Sequence, residues 1–396
     1  MGVLEFSGFL NRLVRVDPPT DQGTATVRLV WDALQKGNLN DAVDLMAYLI
    51  QEQCVGHEIF ARWTERMVQY VVKSDPTQTL GGVHAATMQP WLSTTVAPYL
   101  NVPEQPPALE VKGEDVRYTW PRTSMVVKMT RRDDTYPLEV YVDNARYAPV
   151  HELDDGLREA IAANNREAAR RAIDGVMMRN RFVHEIYCDW CWALLTLIRD
   201  TVGEENYGRA MRATMADWVT VRYKDMLDMS AEQLLQLTVE GLRGEFFGPE
   251  LLGDVEVTEE EDRYVLAFDP CGTGGRMRRG VPQLGTPPRT QAPYNFGVSH
   301  EPHDWNWNEK GVCLYCTHCA DVNELLPLDI AGRPMRVTEH PMNPGDKCRW
   351  YIYKRPELVP EKFYEKVGRK RPAHLLPLER ARAEWRAKSG KGEGQQ

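Results

Sequence analysis

The strongest constraint on the fold is an internal repeat. Laying residues 33–91 over 160–218 at one offset, 184 − 57 = 127, aligns identical residues without a gap. Ala33, Asn38, Ala42, His57, Glu58, Ile59, Trp63, Gly81, Ala86, Thr87, Met88 and Trp91 meet Ala160, Asn165, Ala169, His184, Glu185, Ile186, Trp190, Gly208, Ala213, Thr214, Met215 and Trp218. A chain that carries one unit twice must fold that unit twice, and the unit's own pattern is helical. Val55, Ile59, Trp63 and Met67 in the first copy, and Val183, Ile186, Trp190, Leu194 and Leu197 in the second, recur at three- and four-residue spacing. Asn38 and Asn165 stand just before these runs, where an Asn side chain can accept from a first-turn amide. Gly81 and Gly208 read as the break between two long helices of each copy. Two related modules in one chain are expected to pack about a pseudo-twofold axis, as a fused homodimer does.

The remaining segments follow other periods. DVRYTW, MVVKMT and LEVYVD, between residues 110 and 150, are short strand candidates joined by charged turns. Val255 to Val257 and Arg263 to Phe268 flank an acidic turn and predict a β-hairpin that delivers Cys271. From Cys271 to residue 312 the chain is rich in Gly, Pro and aromatic residues, and a long aperiodic loop of this kind is functional or tied down by a ligand. The expected fold class is α+β, with duplicated helical modules followed by a small cysteine-rich metal-binding α+β domain. The corresponding segments are 1–109 and 151–253 for the helical repeats, 110–150 for a small β segment, 254–360 for the cysteine-rich domain and 361–396 for a charged tail. The tail reads as a helix that frays into a disordered Gly-Lys-Gly-Glu end.

With 42% hydrophobic and 27% charged residues among 396, the chain has the composition of a globular protein and the length for two or three cores. Its formal charge of -9 argues against a nucleic-acid-binding surface, because phosphate neutralisation needs clustered Lys and Arg. The local basic stretches Arg276 to Arg279 and Lys366 to Lys370 read as solvated faces. No run approaches the roughly 18 apolar residues of a membrane span. The N-terminus has no signal-peptide pattern, and Phe6 stands where a myristoylation motif wants Ser or Thr. The expectation is a cytoplasmic protein that binds a small molecule rather than nucleic acid or membrane, with room for a homo-oligomer.

Eight cysteines without a secretion signal read as free thiols and metal ligands rather than disulfides. Cys271, Cys313, Cys316, Cys319 and Cys348 crowd into 348 − 271 + 1 = 78 positions. A C-x-x-C knuckle suits a tetrahedral zinc because two thiolates can point at one centre about 2.3 Å away. Cys271, Cys316, Cys319 and Cys348 could close such a site from three segments, with Cys313 spare or replacing one of them. His303, His318 and His340 are nitrogen ligands in reserve. Iron is the lesser expectation, since iron–sulfur runs use tighter spacings. In SHEPHDWNWNEKG, His303 is the first choice for proton transfer, with His184 or Glu185 expected to face it as catalytic partners. The pairs His57-Glu58 and His184-Glu185 recur in both copies; across the pseudo-twofold they could converge, or they could simply bridge packed helices.

The Cys-Gly start at FDPCGTGGRM and the ending RVTEHPMNPGDKCRWYIY resemble the small zinc-binding domain known as the 4-vinyl reductase domain. The stretch CDWCWALLTLIRDTVGEENYGRAMRATMADWV is similar to proteins of the L-2-amino-thiazoline-4-carboxylic acid hydrolase-like family. Together the resemblance spans residues 155 to 355. It implies metal-ligand roles for Cys271 and Cys348. Where such domains place another cysteine, 348 − 340 = 8 positions before the last, this chain has His340, which favours the Cys316 and Cys319 knuckle for the remaining ligands. The resemblance spans hydrolases, cofactor-biosynthesis proteins and sensors. The leading expectation is therefore a zinc-containing hydrolase-like enzyme acting on a small heterocyclic or amide-like molecule, bound between the helical module and the cysteine-rich domain. The alternative is a non-catalytic small-molecule-binding or sensor protein in which zinc is structural.

Overall fold

Two helices of nearly equal length form the spine of the molecule, one from each copy of the repeat. The computed structural model describes residues 4–8, 10–245 and 255–388. A hairpin of β1 (Leu4–Ser7) and β2 (Arg12–Arg15) leads into the first copy, made of α1 (Thr26–Lys36), α2 (Leu39–Ser74), α3 (Leu80–Thr87) and α4 (Leu92–Val96). Then come β3 (Ala108–Lys112), β4 (Asp115–Thr119), β5 (Val126–Thr130), β6 (Leu138–Val142) and β7 (Ala145–Ala148), an antiparallel meander in chain order. The second copy is α5 (Asp155–Ala162), α6 (Arg166–Val202), α7 (Glu204–Ala213) and α8 (Ala216–Leu227), followed by α9 (Ala231–Arg243).

The C-terminal part holds β8 (Glu256–Glu259), β9 (Arg263–Phe268), α10 (Gly274–Arg279), α11 (Thr317–Ala320), a π-helical turn over Asp321–Leu325, and α12 (Leu326–Ala331). β10 (Val337–Glu339) and β11 (Cys348–Tyr353) complete an antiparallel sheet of order β10-β11-β9-β8, and α13 (Glu361–Lys366) and α14 (Leu378–Lys388) close the described chain. One hydrophobic core runs from Ala25 to Val367 and joins both copies, the meander and the C-terminal sheet. The meander contributes one face to it, because Val116, Tyr118, Val127, Met129, Leu138 and Val140 alternate with exposed or half-buried residues at a period of two.

The duplication is written into the hydrogen bonds. At the start of each long helix the Asn38 N–H donates to Ala33 O and the Asn165 N–H to Ala160 O, both at 2.8 Å. The residue before each Asn, Gly37 (φ 79°) or Asn164 (φ 52°), is left-handed, the conformation that closes a preceding helix. Asn165 also caps α6 through its side chain, accepting from Ala168 N, whereas Asn38 makes no such bond. Across the interface the contacts are reciprocal. Trp63 Nε1 of the first copy donates to Thr214 Oγ1 of the second at 3.0 Å, and Trp190 Nε1 of the second donates to Thr87 Oγ1 of the first at 3.1 Å. His57 faces Tyr187 as His184 faces Phe60, and Phe60 stacks on Tyr187 between them. Each of these pairs maps onto the other under the 127-residue offset, which is the signature of a pseudo-twofold interface.

Several expectations need correction. The helix breaks lie at Asp75–Thr79 and at Gly203, so Gly81 and Gly208 sit inside α3 and α7. Gly208 is there for space, since a Cβ at that position would come 2.2 Å from the Trp305 ring. The β segment has five strands rather than three, because β3 and β7 extend it at both edges. The helix expected in the tail is present as α14, preceded by α13, and it is docked rather than free: Trp385 Nε1 of α14 donates to Glu261 O at 3.0 Å. Its Gly-Lys-Gly-Glu end lies outside the described residues.

The reciprocal Trp–Thr bonds yield a test. Thr87→Val and Thr214→Val each leave a buried indole N–H without its acceptor while nearly keeping the side-chain shape. Each is expected to cost about 1–3 kcal/mol in urea unfolding. A loss below ~0.5 kcal/mol at either position would show that its contact contributes little to the interface.

Candidate metal centre

Strand pairing decides which cysteines meet. β11 runs antiparallel to β9, with Cys348 opposite Phe268, so Cys271 follows three residues beyond the end of the neighbouring strand. On its other side β11 pairs with β10, where Glu339 stands opposite Arg349, and His340 follows at the same end of the sheet as Cys348. Three adjacent strand ends therefore carry Cys271, Cys348 and His340. Cys316, at the N-terminus of α11, comes from the long loop. Together with Arg278, these four side chains line a cavity of about 20 Å³. That is room for a single water-sized occupant.

The glycines after Cys271 serve this packing rather than a left-handed turn. Gly274 and Gly275 are helical. A Cβ on Gly274 would come 2.6 Å from Cys316 Sγ, and one on Gly275 would come 3.1 Å from Cys271 Sγ. Gly275 N donates to Cys271 Sγ at 3.0 Å, and Cys316 N donates to Cys313 Sγ at 3.2 Å. The Cys313 and Cys316 sulfurs stand 3.2 Å apart. Burial pushes the Cys271 thiol up to about 11, with Cys316 adding to the rise. Burial likewise holds Cys319 and Cys348 well above the usual range, while Cys316 is raised first by its contact with Cys313 and then by burial. Without a cation these thiols keep their protons. Among the described residues, no group of three or more His, Cys, Asp or Glu is already drawn together at metal-holding spacing.

The neighbours of the cavity sort the alternative ligands. Cys319 stands outside the cavity lining, with its sulfur 3.6 Å from His318 Nε2, yet within electrostatic reach of Cys316, Cys348 and Cys271. His318 turns toward the first helical copy, its ring 5.3 Å from Trp63. His340 is buried and stacks on Trp307 at 5.0 Å, and its Nδ1 makes no hydrogen bond. Trp307 donates to Glu324 Oε1 at 3.0 Å, and the same oxygen accepts Thr338 N at 2.9 Å. Glu324 lies in the π-helical turn and so fixes both the ring behind His340 and the strand that leads to it.

The expected catalytic set divides. His303 does lie against the second copy, but at α7: its Nε2 is 3.5 Å from Glu204 Oε1, and its ring stacks on Trp305 at 4.6 Å. Glu204 also accepts the backbone N–H groups of His300 and Glu301, so this histidine belongs to a loop anchor. Glu185 faces arginines instead of His303. It pairs with Arg276, with Arg181 at 3.2 Å and with Arg289 at 3.5 Å, while Asp189, one turn on, takes Arg289 at 2.8 Å and Thr95 Oγ1 at 2.7 Å. Burial alone would raise Glu185, but the three guanidiniums outweigh it and hold the carboxyl at about 2. His184, beside it, is pushed well below its usual range by burial and then by Arg276, so it is neutral. The four groups of the two His-Glu pairs do not converge: the histidines approach the pseudo-axis, while Glu58 is exposed and pairs with Arg62.

Arg276 and Arg278, read as part of a solvated basic face, are both buried. Arg276 docks on Glu185, and Arg278 contacts His340 Nε2 at 3.2 Å and donates to the carbonyls of Pro341 and Met342. Asp189 and Arg289 escaped the sequence reading altogether. One signal was present: the 127-residue offset sets Asp189 against Arg62, a charge reversal inside an otherwise matched helix.

No family model, curated protein or solved structure matches the chain.

Glu324 generates a prediction about pH. Burial raises its carboxyl from 4.5 to about 8, against the donors Trp307 and Thr338. The folded state thus keeps a proton that the unfolded chain loses at lower pH, so stability falls as pH rises between those two values. Glu324→Gln is expected to flatten part of that fall in urea unfolding followed from about pH 5 to about pH 8.5. An unchanged slope would mean that Glu324 does not titrate in this window.

Proposed function

We propose that this chain is a small-molecule-binding protein whose C-terminal domain is stapled by one zinc ion, held by Cys271, Cys316, Cys348 and His340. The observation that carries this reading is the convergence of those four donors, from four separate segments, on one cavity with room for a single occupant. Three thiolates and a neutral imidazole match the tetrahedral Cys3His set of structural zinc. Such a centre carries a net charge of 2 − 3 = −1, and Arg278, in the wall beside His340, supplies the compensating charge. The ion would lower the thiol pKa values that burial has raised, releasing protons as it binds.

Four protein donors leave zinc no open position for water, so the centre serves structure rather than hydrolysis. The hydrolase reading needs a proton-transfer group facing the metal. His303 is instead engaged by Glu204 and Trp305, and Glu185 by three arginines. All eight cysteines are unpaired, which fits a reducing compartment such as the cytoplasm. Among the described residues, no helix is long and apolar enough to cross a membrane.

Elemental analysis of the purified protein is expected to give about one zinc per chain. Cys316→Ser and His340→Ala should lose the metal and lower the melting temperature together, whereas Cys319→Ser should retain it. A metal-free wild type, or full retention by Cys316→Ser and His340→Ala, overturns the assignment. Loss of zinc from Cys319→Ser would restore the all-cysteine set.

A further inference from the structure

Four buried arginines in this fold are matched with carboxylates. Arg15 meets Asp17, Arg243 meets Glu52, Arg276 meets Glu185 and Arg289 meets Asp189. Two half-buried arginines, Arg333 and Arg336, share one cavity and have no such partner. Arg336 donates to Asn323 Oδ1 at 2.9 Å and Thr238 Oγ1 at 2.8 Å, and lies over the Trp350 ring at 5.2 Å. Arg333 donates to Leu227 O, the last carbonyl of α8. Neither makes an ion pair among the described residues, and Leu227 O, Asn323, Thr238 and Trp350 are all neutral.

Both line a cavity of about 110 Å³ between the α8–α9 junction and the β10–β11 edge, whose lining includes no cysteine. Lys354, the third cation of the wall, is already neutralised by Glu259 at 2.6 Å. The rest of the wall includes apolar and aromatic surface from Met229, Leu234, Met335 and Tyr351. Two guanidiniums without counter-charge beside an apolar wall make a site with a polar end and a greasy end. The volume is below the ~150 Å³ of a cavity known to take benzene, so it suits a compact ligand.

We propose that this cavity binds a short-chain organic carboxylate, its charged end held by Arg333 and Arg336 and its alkyl end against Met229, Leu234 and Met335. A carboxylate accepts forked bonds from guanidinium, and burying the alkyl chain supplies affinity that an inorganic anion cannot gain. The proposal rests on the small-molecule-binding reading above, but it does not need the zinc ion.

Isothermal titration of the full chain with butyrate, its neutral isostere butyramide and inorganic phosphate tests it. Butyrate should bind, and butyramide and phosphate should bind at least about tenfold more weakly. Arg336→Gln and Arg333→Gln should each weaken butyrate by about tenfold, since each removes one charge-assisted contact. Should Arg336→Gln fail to fold, Arg333→Gln alone decides. No butyrate binding, equal binding of butyramide, a preference for phosphate, or wild-type affinity in the variants overturns the proposal. Zinc content is measured on the same samples. Butyrate binding by zinc-free protein would sink the zinc assignment and leave this site standing, whereas zinc retention without butyrate binding would do the reverse.

Discussion

The cysteine-rich domain is held on the helical part by ion pairs buried between them. Glu185 and Asp189, one turn apart on α6, receive Arg276 and Arg289 from the segment that follows Cys271. These charges lie out of water, so their desolvation must be offset by one another, and removing a single partner from such a pair costs on the order of 3–5 kcal/mol. Their consequence is positional. Arg276 starts five residues after Cys271, and its guanidinium can reach Glu185 only if α10 lies against α6. The cavity at the strand ends is assembled from a domain whose placement these carboxylates specify.

Duplication explains how a helix came to have such a face. The two copies keep their shared residues where they touch each other, as in the exchange of Trp63 and Trp190 for each other's threonines. They differ where they touch different neighbours. At matched positions the first copy has Glu58 and Arg62, exposed and paired with each other, and Arg62 also reaches Asp134 beside the meander. The second copy has Glu185 and Asp189, buried under the C-terminal domain. An i, i+4 pair of opposite charges satisfies itself in solvent, whereas two carboxylates one turn apart repel and must import cations. A single change of sign separates a surface helix from a docking helix.

At the metal centre the supporting shell is aromatic and acidic rather than catalytic. Trp307 backs His340, Glu324 holds Trp307 and the β10 backbone, and the π-helical turn places Glu324 between them. Glycines at 274 and 275 leave space that the sulfurs occupy. The other histidines that attracted notice in the sequence are absorbed into packing. His303 ties a loop to α7, and His318 meets Trp63.

The sequence by itself determined the repeat, its helical character, the meander, the hairpin leading to Cys271 and the clustering of cysteines, because each is local or follows from an internal comparison. Apolar spacing along one segment is enough to tell a helix from a strand, and an ungapped offset is enough to predict which tryptophans are equivalent. The tertiary structure decided which donors share a cavity. His340 and Cys348 stand side by side because β10 and β11 pair in a particular register, and no spacing along the chain encodes that pairing. Cys319, three residues after Cys316, stays close enough to Cys316, Cys348 and Cys271 to feel their charge but does not line the cavity, a distinction of a few ångströms that no spacing along the chain encodes. The partners of Glu185 and the counter-charges missing at Arg333 and Arg336 were equally invisible, since electrostatic balance depends on distance in space and on burial, and a sequence specifies neither.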